Sequence, residues 1–550
     1  MHHEHLADLL FPDITKLPSD YEALYPERRL APTALVTRLG PSPTGFIHLG
    51  NLYGALADER LAHQSDGVFF LRIEDTDSKR EVAGAAEAII EALNYFGIQF
   101  DEGVCQTGER GDYGPYRQSD RTDIYHCFAR DLVRRGLAYP CFCSEAELAN
   151  QRSKQEAAGD NPGYYGEWAL CRTTLSIDDI ESRLAKRQPY VLRFRSPGSA
   201  EKNFTLTDGI RGELSMPENI QDIVLLKQNG VPTYHFAHVV DDHLMRTTHG
   251  IRGEEWLSSL PIHIQLFQAL SWQPPVYCHT TVLMKMEDGV RRKLSKRNDP
   301  EMALSYYRSL GYHPAAVREY LMTILNSNYE EWRLANPELP LTDFAFTTDK
   351  MSSSGMLFDI DKLNDVSKET LARLNDSVLC DFLLEWAGQW QPERANILAA
   401  DPAKLTRILG MDRHSEKPRK DLIYGEQILE HIDYFYDEWF VQRDAFPETV
   451  QETDRLAILE AYLAGYDQTD DRTTWFDKIR SLAEANGFAA RPKDYKKNPD
   501  QYKGHVGDVS TVIRIALMGR SNSPDLWEIQ QIMGEDMTKR RLYSTIQLLR

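Results

Sequence analysis

Residues Thr37 to Asn51 read Thr-Arg-Leu-Gly-Pro-Ser-Pro-Thr-Gly-Phe-Ile-His-Leu-Gly-Asn, and this stretch constrains the fold more than any other. The apolar residues from Leu35 to Leu39 predict a strand. Pro41 and Pro43 end it, because proline brings no ladder donor. Gly45 permits turn geometries that other residues reach only with strain. A helix is then predicted to open near Gly50. His48 and Gly50 fall at its N-terminus, where free N–H groups and the helix dipole favour a phosphate. The stretch predicts a nucleotide-phosphate site with a His donor. From His-x-Gly alone, a plain βα turn with a structural His would be the better reading. The other stretches decide.

Val68 to Ile73 is a continuous apolar run, as expected for a strand buried on both faces. It ends in Arg72-Ile73-Glu74-Asp75-Thr76-Asp77. Val82, Ala86, Ile89, Leu93 and Phe96 keep helical spacing, and Gly97 suits a C-cap. The βαβα order predicts a parallel sheet with a nucleotide at the strands' C-terminal edge. From about Tyr116 the pattern turns irregular and reads as an insertion, with a strand at Tyr190 to Phe194. Ile223–Lys227 and Val231–His235 read as two strands around an Asn229-Gly230 hairpin turn. Helical segments are expected around Trp256 and Ile262–Leu270, then a strand at Val276–Met284. Beyond residue 300 strand signals thin out and helices dominate, including Leu363–Leu374 and Val509–Met518. Residues 1–34 form a leader with a short apolar stretch, Leu6 to Phe11.

At 550 residues the chain exceeds a single core, so several domains are expected. Its hydrophobic share of 42% contains no run of membrane-spanning length. The start, Met-His-His-Glu-His, lacks a signal peptide's basic end and apolar core, so the expected location is cytoplasmic. The seven cysteines are few and odd in number and form no disulfide framework. With 63 basic against 83 acidic residues the net charge is −20, which argues against nonspecific nucleic-acid binding but leaves room for a local basic track. Candidate patches include Arg291, Arg292, Lys293, Lys296 and Arg297; Lys417, Arg419 and Lys420; Lys493, Lys496 and Lys497; and Lys539, Arg540 and Arg541.

Four stretches in order carry a family resemblance. They are Pro-Ser-Pro-Thr-Gly-x-x-His-x-Gly (41–50), Arg-Ile-Glu-Asp-Thr-Asp (72–77), Pro-Thr-Tyr-His-Phe-Ala-His-Val-Val-Asp-Asp (232–242) and Lys-Leu-Ser-Lys-Arg (293–297). The chain resembles the glutamyl-tRNA synthetases, a class I aminoacyl-tRNA synthetase family. The first and last stretches match its two ATP signatures, HIGH and KMSKS. The resemblance is dense from Val36 to Asn298 and looser through Phe358–Leu363. It returns at Val512-Ile-Arg-Ile-Ala-Leu-Met-Gly519.

The resemblance implies an α/β architecture: a Rossmann-like parallel-sheet catalytic domain with an inserted α+β domain, followed by a mostly α-helical anticodon-binding part. The expected boundaries are an N-terminal extension (1–34), catalytic halves at 35–116 and 231–300, an insert meeting the tRNA acceptor end (117–230), a stem-contact helical domain (301–375) and an anticodon-binding domain (376–550). The implied reaction has two steps. The glutamate α-carboxylate attacks the ATP α-phosphate, and the terminal ribose hydroxyl of tRNA then takes the acyl group. The substrates supply both nucleophiles, so positioning and charge stabilisation must do the work. ATP is a substrate, Mg²⁺ is expected with it, and a monomer is usual.

By motif match, His48, Lys293 and Lys296 are catalytic. His48, Gly50, Glu255, Lys293 and Lys296 contact ATP. Arg38, Ser42, Glu74, Tyr234, Arg252 and Trp256 line the glutamate pocket, with Glu74 on the ammonium and Arg252 on the side-chain carboxylate. Some relatives bind zinc in the insert. Here Cys141, Cys143 and Cys171 match, Thr173 stands at a His position, and Tyr165 is a candidate fourth ligand; buried free thiols are the alternative. Other departures are Gly40 where many relatives have Ala, Asn51 at the end of the first signature, and His238 where some have Asn. The rivals are a glutaminyl-tRNA synthetase, a truncated tRNA-modifying relative, a small-molecule nucleotidyltransferase and an inactive paralogue. The helical tail and the intact signatures speak against them. Whether tRNA for glutamine is also charged rests on anticodon contacts that the motifs do not place.

Overall fold

The computed structural model describes residues 2–45, 47–77, 82–295, 297–416 and 418–550. The chain divides into two compact units, Met1–Tyr306 with Arg318–Asp359, and Tyr307–Val317 with Ile360–Arg550.

In the first unit, β1 (Val36–Leu39), β2 (Val68–Leu71), β3 (Glu102–Cys105) and β4 (Gly108–Arg110) form one sheet in that order. The first three run parallel, with Val36 opposite Val68 and Phe70 opposite Glu102; β4 returns antiparallel. Phe69, Phe70 and Leu71 are fully buried, as the unbroken apolar run requires of a strand covered on both faces. A second parallel pair, His249–Gly253 with Val276–Thr280, lies along the other side of β1. Thr248 N donates to Val36 O there at 2.9 Å. The C-terminal ends of β1, β2 and this pair therefore open on one edge, where ligands of such sheets bind.

The helix after the first signature spans Leu49–His63 and takes His48 as its N-cap. The helix Ala85–Tyr95 ends as expected, with Gly97 at φ +73°. Three expectations need correction. Val231–His235 is not a strand. The turn forms, with Gly230 at φ +79°, but only a single bridge joins Leu226 to Pro232. A helix, Tyr234–Leu244, starts at once. Tyr234, Ala237, His238 and Asp241 share one face at helical spacing, which the short aromatic run concealed. Val276–Met284 breaks at Thr281-Val282 into two strands, and the second, Leu283–Glu287, forms a hairpin with Val290–Lys293. The irregular region after Tyr116 contains a strongly amphipathic helix, Thr122–Arg134.

The leader forms helices His2–Leu10 and Pro18–Leu24. Phe11 meets the His126 ring at 5.6 Å and Asp8 pairs with Arg130 at 2.6 Å, both on the helix Thr122–Arg134. Glu22 pairs with Arg246 at 2.8 Å and His243 at 2.7 Å. The leader thus straps the insert's first helix to the end of Tyr234–Leu244. The insert adds antiparallel sheets, Ala138–Cys141 with Val191–Phe194 and Val224–Leu226, and the hairpin Asn203–Asp208 with Gly212–Pro217.

The second unit has no strand among the described residues. Its helices, including Ile360–Arg373 and Val506–Met518, share one apolar core running from Leu371 to Ile546. No helix among the described residues is long and apolar enough to cross a membrane.

Candidate active site

A cavity of about 860 Å³ opens at the sheet's C-terminal edge. Arg38, Ser42, His48, Gly50, Glu74, Tyr234, Arg252, Glu255, Trp256 and Lys293 all line it. Of the residues named from the motifs, Lys296 lies outside the described residues.

The signature helix places His48 by backbone means. Asn51 Oδ1 accepts from His48 N at 3.2 Å, tying the cap to the first turn. Asn51, a departure in the motif, therefore has a structural task. A Cβ on Gly50 would come within 3.0 Å of the His48 ring, so glycine is what leaves that ring its place. Lys293 ends the strand Val290–Lys293 and is exposed, free to reach toward a phosphate. Beside it, Asp299 accepts from Arg292 at 2.7 Å and from Ser295 N at 2.8 Å, which fixes the base of the signature loop.

A buried charge network forms the floor. Arg72 donates to Glu74 at 2.9 Å and to Asp242 at 2.8 Å. Arg38 reaches the two oxygens of Asp242 at 3.3 Å each. Burial disfavours Arg38's charge, but Asp242 outweighs it and raises its pKa. Burial likewise pushes the Glu74 carboxyl above its usual range, with Arg72 and Arg38 opposing. Asp242 is held below its usual value because both arginines outweigh its burial. Gly40 packs against Glu74: a Cβ there would collide with Glu74 Oε1.

On the opposite wall Tyr234 lies against Trp256, ring centroids 4.3 Å apart. Burial and the Glu74 charge push the Tyr234 phenol up to about 12, so it stays a neutral donor. Arg252 is buried over the Tyr277 ring at 4.2 Å. Its Nη2 is buried with no hydrogen-bond partner among the described residues. Arg38 and Arg72 are thus matched by Glu74, Asp241 and Asp242, whereas Arg252 has no carboxylate partner among the described residues. His238 is fully buried, with Nε2 3.0 Å from Tyr277 OH, and burial drives it to the neutral form.

Sequence reasoning assigned no role to Arg72, Asp242 or Lys227. The first two sit inside quoted motifs; the available signal was a charged residue closing an apolar strand for Arg72 and an acidic pair in an apolar helix for Asp242. Lys227 donates to Thr76 O at 2.8 Å from the insert's side of the cavity; nothing in its local sequence marks it.

In the insert, the sulfur atoms of Cys141, Cys143 and Cys171 lie within 4.8 Å of one another. The fourth group is Tyr164, not Tyr165. Tyr164 OH lies 3.3 Å from Cys141 Sγ and 3.4 Å from Cys143 Sγ. Tyr165 OH instead donates to Asn161 O at 2.6 Å. Alternation along the chain sends these neighbouring side chains in different directions.

Fold and site together are those of a class I tRNA synthetase. The family described as "tRNA synthetases class I (E and Q), catalytic domain" matches residues 34–365, and an anticodon binding domain family matches residues 495–546. The chain is 60% identical to a glutamate–tRNA ligase of Acetivibrio thermocellus, across 98% of this chain and 99% of that protein. It is 47% identical to a glutamate–tRNA ligase of Clostridium perfringens, across 98% of this chain and 100% of that one. A solved glutamate tRNA ligase from Elizabethkingia meningosepticum, in complex with its amino acid, superposes with a TM-score of 0.75 at 29% identity, covering 94% of this chain and 100% of that chain. The chain belongs to the glutamate–tRNA ligase family.

Proposed function

We propose that this chain attaches L-glutamate to tRNA for glutamate, using ATP and passing through glutamyl-adenylate. One observation carries the amino-acid assignment. The buried Nη2 of Arg252, a residue that lines the cavity, has no hydrogen-bond partner among the described residues. A buried donor without a partner is costly, and a substrate side-chain carboxylate would relieve it. Glu74 would take the ammonium. Arg38, Ser42, Tyr234 and Trp256 would close the pocket around the amino acid.

His48 would donate to an ATP phosphate as the α-phosphate charge develops, with Gly50 admitting the nucleotide and Glu255 contacting it. Lys293 and Lys296 would close on the phosphates. Magnesium, carried by ATP, would neutralise phosphate charge. The leaving group is pyrophosphate, and the tRNA hydroxyl then displaces AMP. Replacing His48 by Ala should lower kcat about 10²–10³-fold, as for other single donors at developing charge.

The insert (117–230) would meet the acceptor end, residues 301–375 the stem and residues 376–550 the anticodon, with the chain acting as a monomer. Cys141, Cys143, Cys171 and the Tyr164 phenol would hold a structural zinc, since three thiolates and one oxygen suit a closed tetrahedral site.

The test is charging of purified tRNA for glutamate and tRNA for glutamine separately, with labelled glutamate, ATP and Mg²⁺. Charging of the first is expected. Charging of both would extend the reading to a non-discriminating enzyme. Charging of neither, by folded protein beside an active control, would overturn it.

A further inference from the structure

The Arg252 guanidinium is held by nitrogen atoms rather than by a carboxylate. Its Nε lies 2.9 Å from His279 Nε2, and its Nη1 lies 2.9 Å from His263 Nδ1. Arginine offers donors only and stays charged. Both facing ring nitrogens must therefore present lone pairs, and each imidazole must carry its proton on its other nitrogen. For His279 that atom is Nδ1, 2.6 Å from Asp208 Oδ2. For His263 it is Nε2, 3.0 Å from His235 Nδ1. The tautomers are assigned by these partners alone.

The arrangement is built into the fold. Arg252 and His279 are register partners on adjacent parallel strands. Asp208, at the end of the insert's hairpin strand, is pinned by Ile210 N and Arg211 N at 2.9 Å each. Around His279 the charged neighbours are Asp208, Arg252 and Arg211, the last paired with Glu254. Around His263 they are Arg252 and Asp242, beside the titratable His235 and His238 and the Tyr234 and Tyr277 rings. Burial favours the neutral form of both imidazoles.

Neutral acceptors have a consequence that a carboxylate would not. A carboxylate would orient Arg252 equally well but would cancel its charge. Two imidazoles orient it and leave the charge for the substrate. We propose that His263 and His279 are positioning residues that set specificity for a carboxylate side chain. They fix the guanidinium of Arg252, which lines the cavity, and Asp208 and His235 hold their tautomers. An amide side chain in the same place would offer at most one acceptor and would set its own N–H groups against Arg252. Protonating either imidazole would turn an acceptor into a donor against Arg252, so glutamate binding should weaken on the acid side.

This inference rests on Arg252 gripping the substrate side chain, and the experiment separates the two. Glutamate and ATP KM values are measured in the charging assay for His279→Leu, His263→Leu, His279→Gln and Arg252→Gln. Each leucine variant is expected to raise the glutamate KM about tenfold or more, with ATP KM within about twofold. Glutamine should gain ground as a competitor. His279→Gln, which offers Arg252 an acceptor oxygen, should recover most of the loss and flatten the acid-side rise in glutamate KM. If Arg252→Gln raises the glutamate KM while both leucine variants leave it unchanged, the inference falls and the Arg252 assignment stands. If Arg252→Gln itself leaves the KM unchanged, the assignment falls. Should the leucine variants not fold, Asp208→Ala, which leaves both imidazoles in place, takes their part. A glutamate KM unchanged in that variant overturns the inference.

Discussion

Glycine and asparagine, the least reactive residues at the site, hold its reactive ones in place. Gly40 leaves room for the Glu74 carboxylate that meets Arg72. Gly40→Ala should displace Glu74 and raise the glutamate KM about tenfold, roughly 1.4 kcal/mol, with the ATP KM unchanged in the same assay. An unchanged glutamate KM would show that the Glu74 side chain accommodates the added methyl without leaving its place. Asn51→Ala removes the acceptor that ties down His48 N. The loss of about 0.5–1.5 kcal/mol should show as a lower melting temperature together with a lower kcat. That His48, Glu74 and Arg252 would meet at one cavity was legible from the sequence through the family resemblance. His263 and His279 were not. Their task exists only after two strands and a helix bring them to one guanidinium, and no local spacing encodes that meeting. Tyr164 was missed by one position for a similar reason, since side-chain direction follows from backbone the sequence reading left irregular.

Among elements, the strands Val36–Leu39 and Val68–Leu71 and the signature helix were legible because apolar runs and turn residues act locally, whereas the parallel strands Glu102–Cys105 and His249–Gly253, short and broken by glycine, were not. The helix Tyr234–Leu244 was not, because its first turn is aromatic and short enough to read as a strand. The leader was the least legible, since its apolar residues acquire a partner only from a helix more than a hundred residues away. Its grip on Arg246 and His243 passes through Glu22. Burial raises the Glu22 pKa, but His243 and Arg246 outweigh it, and the net shift is downward from 4.5. A lowered carboxylate pKa gives stability that is present above the unfolded value and is lost as pH falls through the folded one. Below pH 4.5, the hydrogen-exchange protection of residues 2–24, taken relative to the intrinsic rate at each pH, should therefore fall, and Glu22→Gln should show that lower protection already at pH 7. Exchange in the variant equal to the parent at pH 7 would remove Glu22 from the strap. In the insert, Cys143→Ser should lower the zinc content measured by elemental analysis and lower the melting temperature. Metal-free parent protein with the same melting temperature would leave three structural thiols instead.

At the scale of the whole molecule, a body of net charge −20 must receive a polyanion. Binding then depends on local basic tracks and on counterion release. The KM for tRNA should rise steeply with salt, log KM climbing about 0.7–0.9 per neutralised phosphate with log salt. The glutamate KM, set in a buried pocket, should barely move. Equal salt dependence of both would place the tRNA contacts elsewhere than on lysine and arginine.

The second unit is sewn from two separate lengths of chain. Within it Trp386 Nε1 donates to Arg308 O at 3.0 Å, Gly425 N donates to Gly311 O at 2.8 Å, and Tyr312 OH donates to Asn364 Oδ1 at 2.6 Å. On the ribosome, the segment Tyr307–Val317 leaves the exit tunnel long before those partners exist. At about 5–20 residues per second, Gly311 waits roughly 6–23 s for Gly425 to be made. During that interval the buried side chains of Tyr307, Tyr312 and Val317 stand open to water, an apolar handle that a nascent-chain chaperone could hold until the rest of the helices arrive.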